Sequence, residues 1–197
     1  MKIRTVITGL CLFATAMTAR ANYDINFDTF DPANDPSFTQ HLAFDVDGIT
    51  KLTGPVFEAQ LYVGANAGSL ASIGAPVQFQ RAGAGDGYVN GGPLVNVPDS
   101  SLNAGSSAFY AVRAWRVSDG SSYEVALATP GAHVGSSQIT AITLGGTVAG
   151  IPPQLIVATA NLHPSFSLSV VPANVPEPSV LALGLLGGAA LMFRRRK

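Results

Sequence analysis

Residues 108–128 read AFYAVRAWRVSDGSSYEVALA. Tyr110, Val112 and Ala114 fall on one side of an extended chain, and Phe109, Ala111, Arg113 and Trp115 fall on the other. Alternation of period two argues a β-strand, and apolar residues on both sides argue that both faces are partly covered. Asp119-Gly120 is a turn signal, and Ser122 to Ala128 supplies a second run with apolar residues at every other position. The stretch therefore predicts a central hairpin within two packed antiparallel sheets.

The flanking sequence extends the same pattern. Tyr23, Ile25, Phe27 and Thr29 alternate with Asp24 and Asp28, which predicts a half-buried strand, and the two prolines of Asp31-Pro-Ala-Asn-Asp-Pro then break any ladder. Leu42, Phe44 and Val46 lead to an Asp47-Gly48 turn. Phe57, Ala59, Leu61 and Val63 share a face opposite Glu58 and Gln60. Pro76 to Gln80 is a short strand, and Tyr88 to Val97 reads as a hairpin around Asn90-Gly91, since Asn-Gly favours the tight turn between paired strands. Residues 139–144, 155–158 and 166–171 add three strands. With 21 Gly and 13 Pro, 47% hydrophobic and only 12% charged residues, the chain suits many short strands joined by turns, not a helical bundle or a disordered segment. The expected fold is all-β, a single antiparallel β-sandwich over residues 22–174. Its stretch from Tyr110 to Tyr123, with Val-Arg-Ala and Asp-Gly, resembles the late hairpin of fibronectin type III and related Ig-like sandwiches; a jelly-roll arrangement remains open.

The two ends differ from this body. Lys2 and Arg4, an apolar stretch from Val6 to Met17, and the small-x-small residues Ala19-Arg20-Ala21 form the three-part pattern of a secretory signal peptide over residues 1–21, with Asn22 as the new first residue. Cys11 is the single cysteine and lies inside that apolar stretch after Leu10, a poor lipidation context. The body thus has no thiol for disulfides, metal binding or catalysis. Between Asn22 and Pro176 four basic residues (Lys51, Arg81, Arg113, Arg116) face eleven acidic ones, a formal −7. Such a surface does not suit nucleic-acid phosphate.

Residues 175–197 close with Val-Pro176-Glu177-Pro178, a Gly/Ala/Leu run from Val180 to Phe193, and Arg194, Arg195, Arg196 and Lys197. The run of 14 residues makes about 21 Å of helix, short of the ~30 Å bilayer core. The basic end would hold the terminus on the cytoplasmic side, and the prolines keep the preceding peptide extended outside. In this order of parts the tail resembles the PEP-CTERM sorting signal of Gram-negative bacteria. The resemblance implies export through the inner membrane, transient anchoring through the short transmembrane helix 180–193, and processing by an exosortase, a membrane protease-transpeptidase. It also implies a place at the cell surface or in an exopolysaccharide or biofilm matrix.

No catalytic pattern accompanies it. His41, His133 and His163 lack the spacing of a zinc site, and the serines in Gly105-Ser-Ser, Gly120-Ser-Ser and Gly135-Ser-Ser lack a nucleophile elbow. Asp45-Val-Asp47-Gly48, with Asp31 and Asp35, could supply oxygens to calcium but lacks the bidentate Glu of an EF-hand. Trp115, with Tyr110, Tyr123 and Arg113, is either sandwich core or the stacking platform of a carbohydrate-binding face. The expected role is that of a non-enzymatic surface or matrix protein without a cofactor or metal; the alternatives are a carbohydrate-binding module and a secreted polysaccharide hydrolase.

Overall fold

A computed structural model describes residues 21–30, 40–80, 85–99, 101–146, 152, 154–156 and 164–173. Residues 1–20 of the expected signal peptide (1–21) and the expected carboxyl-terminal transmembrane helix (180–193) lie outside these residues. Among the described residues no helix is long and apolar enough to cross a membrane.

The body is β-rich, with eleven strands in mainly antiparallel sheets among the described residues: β1 (Ala21–Asp28), β2 (Ala43–Phe44), β3 (Phe57–Gly64), β4 (Ala71–Gln78), β5 (Asn90–Asp99), β6 (Ser107–Arg116), β7 (His133–Ser136), β8 (Thr140–Thr143), β9 (Gln154–Leu155), β10 (Phe166–Ser167) and β11 (Ser169–Val170). One sheet runs β11-β7-β6-β3-β4, with β8 also on β6. A second runs β5-β1-β9, and β10 pairs with β2. The β1–β9 and β10–β2 pairs are parallel.

The alternation read from the sequence fixes which side chains meet. In the β3–β6 pairing Ala59 lies opposite Ala114, Leu61 opposite Val112 and Val63 opposite Tyr110. These residues share one buried cluster with Tyr23, Ile25 and Phe27 of β1, so strands of both sheets contribute to one core. The Tyr110 hydroxyl spans that core and donates to the Ile156 carbonyl. One edge of β6 serves two strands: β8 takes Ser107 to Tyr110 and β7 takes Arg113 to Trp115. Ser137 fills the gap. Its N–H donates to the Val112 carbonyl at 2.8 Å, and its Oγ accepts from the Val112 N–H at 2.9 Å, so the ladder continues through a side chain.

Two expected hairpins are absent. After β6 the chain makes a 3-10 turn over Val117–Asp119 and then a short helix, α1 (Tyr123–Leu127), where the second strand was expected. Ser122 caps it by accepting from the Val125 N–H at 3.3 Å, and Tyr123 and Ala126, three apart, are buried. Gly120 permits this packing, since a Cβ there would lie 2.6 Å from the Ala126 nitrogen. A strand would instead have stacked Tyr123, Val125 and Leu127 on one face; the helix leaves Val125 and Leu127 half exposed. Asn90-Gly91 also makes no turn, because both lie within β5, which runs along β1. A type I′ turn needs positive φ at Asn90, but here Gly92 carries it, at +69°. The register jumps from Asp28 opposite Asn90 to Phe27 opposite Gly92, leaving Gly91 as the extra residue of a bulge.

Candidate functional site

The face of β3 and β6 turned away from the main core carries Tyr62, Arg113 and Trp115, with α1 laid over it. Tyr62, Trp115, Tyr123, Ala126, Ala132 and Val134 form a second buried cluster there. The guanidinium carbon of Arg113 stands 4.1 Å from the centre of the Tyr62 ring and 5.0 Å from that of Tyr123. Its NH1 is 3.6 Å from Glu124 Oε1, which also accepts from the Tyr62 hydroxyl at 2.6 Å. Burial first, then the bond to Glu124, pushes the Tyr62 phenol well above its usual value. Burial opposes ionisation of Glu124, but the Tyr62 hydroxyl, its own N–H, Ser122 and Arg113 outweigh it and hold the carboxyl below its usual range. The shifts keep Tyr62 protonated and neutral, a donor to an ionised Glu124. These groups clamp α1 onto the sheet.

Trp115 lies beneath that clamp with 0% of its surface exposed, and its indole N–H donates to the Gly120 carbonyl at 3.0 Å. It therefore offers no ring face to a sugar. Tyr110, also fully buried, sits on the opposite side of β6 in the main core, so the aromatic residues grouped in the sequence do not form one platform.

Beside α1, Asp119 Oδ2 accepts from the His133 N–H at 2.7 Å and lies 3.0 Å from His133 Nδ1. Burial opposes ionisation of Asp119, but the bonds from the His133 backbone, the His133 ring and Ser118 hold its carboxyl below the usual range. An ionised carboxylate only accepts, so Nδ1 carries the ring hydrogen. The pair ties β7 to the turn after β6. His41 is buried with φ of +58°, and His163 lies outside the described residues.

In the 45–50 turn, Asp47 Oδ1 accepts from the Ile49 and Thr50 N–H groups at 2.9 and 2.8 Å, and Oδ2 accepts from the Thr50 hydroxyl. Asp45 Oδ2 faces Arg116 at 3.7 Å. Both carboxylates are engaged within the fold, Asp31 and Asp35 lie outside the described residues, and no group of three or more potential ligands is placed to hold a metal among the described residues.

The remaining feature is the carboxyl-terminal end of the described residues. Leu168 is buried in the main core and its N–H donates to the Phe44 carbonyl. In β11, Ser169 and Val170 pair with Val134 and His133. The Val171 N–H donates to the Ala132 carbonyl at 2.8 Å, and the Gly131 N–H donates to the Val171 carbonyl at 2.9 Å. Pro172 and Ala173 are exposed, and the tail with Pro176-Glu177-Pro178 and the terminal basic cluster follows directly.

Residues 174–197 match the PEP-CTERM protein-sorting motif. The match covers the residues singled out in the sequence: the Pro-Glu-Pro, the apolar run, and Arg194 to Lys197. A PEP-CTERM tail is what an exosortase substrate carries, and it supports export and sorting to the envelope or surface. No curated protein and no solved structure matches the chain. The tail residues themselves, like Ala19 of the signal site, lie outside the described residues. Ala21 and Asn22 are the first two residues of β1, opposite Asp99 and Pro98, so cleavage after Ala21 would leave β1 from Asn22 onward. Sequence reasoning missed the Asp119–His133 pair and the Tyr62–Arg113–Glu124 clamp. Their members are 14 and 62 positions apart, and no local pattern marks them.

Proposed function

We propose that the protein is a non-enzymatic component of the bacterial cell surface or extracellular matrix, exported behind its signal peptide and released from transient membrane anchoring by an exosortase at the PEP-CTERM tail. The observation that carries this reading is the match at residues 174–197. In this reading the acidic body is a two-sheet β-sandwich, supported by the buried cluster to which strands of both sheets contribute, and it works alongside exopolysaccharide. The complete burial of Trp115 takes away the stacking residue on which a carbohydrate-binding module was expected to rest.

Intact-mass measurement of the protein recovered from an exosortase-competent host tests the sorting. We expect a chain beginning at Asn22 and lacking Lys197. Recovery of a chain that still ends in Arg-Arg-Arg-Lys would make the tail a permanent anchor. Turnover of polysaccharide by the purified body would move the role to a hydrolase.

A further inference from the structure

We propose that the bulge over residues 74–76, with the proline it contains, keeps β4 from pairing with the same strand of a second copy of this chain. β4 ends the sheet order β11-β7-β6-β3-β4, so among the described residues no strand lies along its outer edge. None of its residues from Ala71 to Gln78 is charged, and only Ile73 and Val77 are partly buried. An uncharged, exposed end strand of this length is a template on which another chain can add its own strand. The charged side chains that commonly guard such an edge are missing here.

The backbone supplies the guard instead. Ala59 lies opposite Val77 and Leu61 opposite Ile73, so Gly74, Ala75 and Pro76 share the place opposite Gln60 alone. The Gly74 carbonyl accepts from Gln60 Nε2 at 2.7 Å, which holds the bulge against β3. Glycine is required at 74 on two counts: its φ is +66°, and a Cβ would lie 3.1 Å from both terminal carbons of Leu94 in β5. The chain therefore leaves the pleat midway along β4, and Pro76, which is exposed, has no N–H to offer a partner. β5 is the end strand of the other sheet, and it carries Pro93 and Pro98. Among the eleven described strands proline occurs only in β4 and β5, the long strands at sheet ends, whereas β9 and β11 at the opposite ends have two residues each. A proline is tolerated at a sheet edge and denies that edge a donor. Crowded copies of the body therefore stay separate.

Two variants of the full-length chain test this, with all chains kept in one detergent so that the apolar ends contribute equally. One lacks Ala75 and Pro76, which leaves Gly74 alone opposite Gln60 in a continuous ladder; the other adds Gly74→Lys to the same deletion. Light scattering reads association, amide hydrogen exchange locates it on β4, and circular dichroism checks the fold. We expect β4 exchange in the wild type to be independent of concentration. The deletion should double in protein mass with several-fold slower β4 exchange, and the lysine should reverse both. A folded deletion variant that behaves as the wild type would overturn the proposal, as would association that survives the lysine, or a wild type whose β4 is already protected by association. If the deletion unfolds, Pro76→Thr, which restores one donor within the native bulge, decides by the same measurement: slower β4 exchange at high concentration supports the guard, and unchanged exchange overturns it.

Discussion

Asp119 takes hydrogen bonds from the backbone and the ring of one residue, His133, and so joins the turn after β6 to β7 through a single carboxylate. Its side chain is 18% exposed, so the bonds are only partly screened. Hydrogen bonds to a charged group contribute about 1.5–3 kcal/mol when buried. Asp119→Asn keeps the shape and loses the charge, and should cost about 1 kcal/mol at pH 7, read as a lower urea midpoint at unchanged slope. The pH dependence has a definite sign. The folded carboxyl ionises below its usual value, so the stability it contributes is complete above about pH 4 and is lost as pH falls through the lower folded value. Wild type should therefore lose more stability than the Asn variant on acidification below pH 4, and the two should converge there. Parallel curves down to pH 2 would show that the carboxylate is not the stabilising group.

Helix α1 shows how a short element is decided by contacts that a linear pattern does not contain. Tyr123, Val125 and Leu127 alternate as a strand would, yet the Ser122 cap, the glycine at 120 and the burial of Tyr123 and Ala126 make one turn of helix. Gly120→Ala would drive a methyl into the backbone at Ala126. Its φ of 176° is open to any residue, so the cost is one of space, about 1–3 kcal/mol by the usual penalty for overpacking. Urea unfolding would measure it, and an unchanged midpoint would mean that α1 shifts freely. By contrast β1, β3 and β6 were legible, because Tyr23 to Phe27, Phe57 to Val63 and Tyr110 to Ala114 each present one buried face to a shared core. Asn90-Gly91 was misleading for the same reason as α1: pairing with β1 outweighed a local turn preference. The tail was legible without any fold, since its chemistry is a linear order of proline, apolar residues and arginine.

Among the described residues, β1 and β3 belong to different sheets yet contribute to one buried cluster, and the body has no cysteine that could link them. Ile25 on β1 and Leu61 on β3 are each fully buried in that core. Replacing either by Ala should cost about 2–5 kcal/mol. Both losses should appear in the same single transition by circular dichroism, as expected when one core unites the sheets. Two separated transitions in either variant would mean that the sheets are independent units.

Trp115 is the single tryptophan of the chain, and it is sealed between β6 and α1. The protein thus carries its own optical reporter. Its emission comes from one environment and will shift to the red when water reaches the indole, so lifting of α1 can be followed by fluorescence while the strands beneath remain paired.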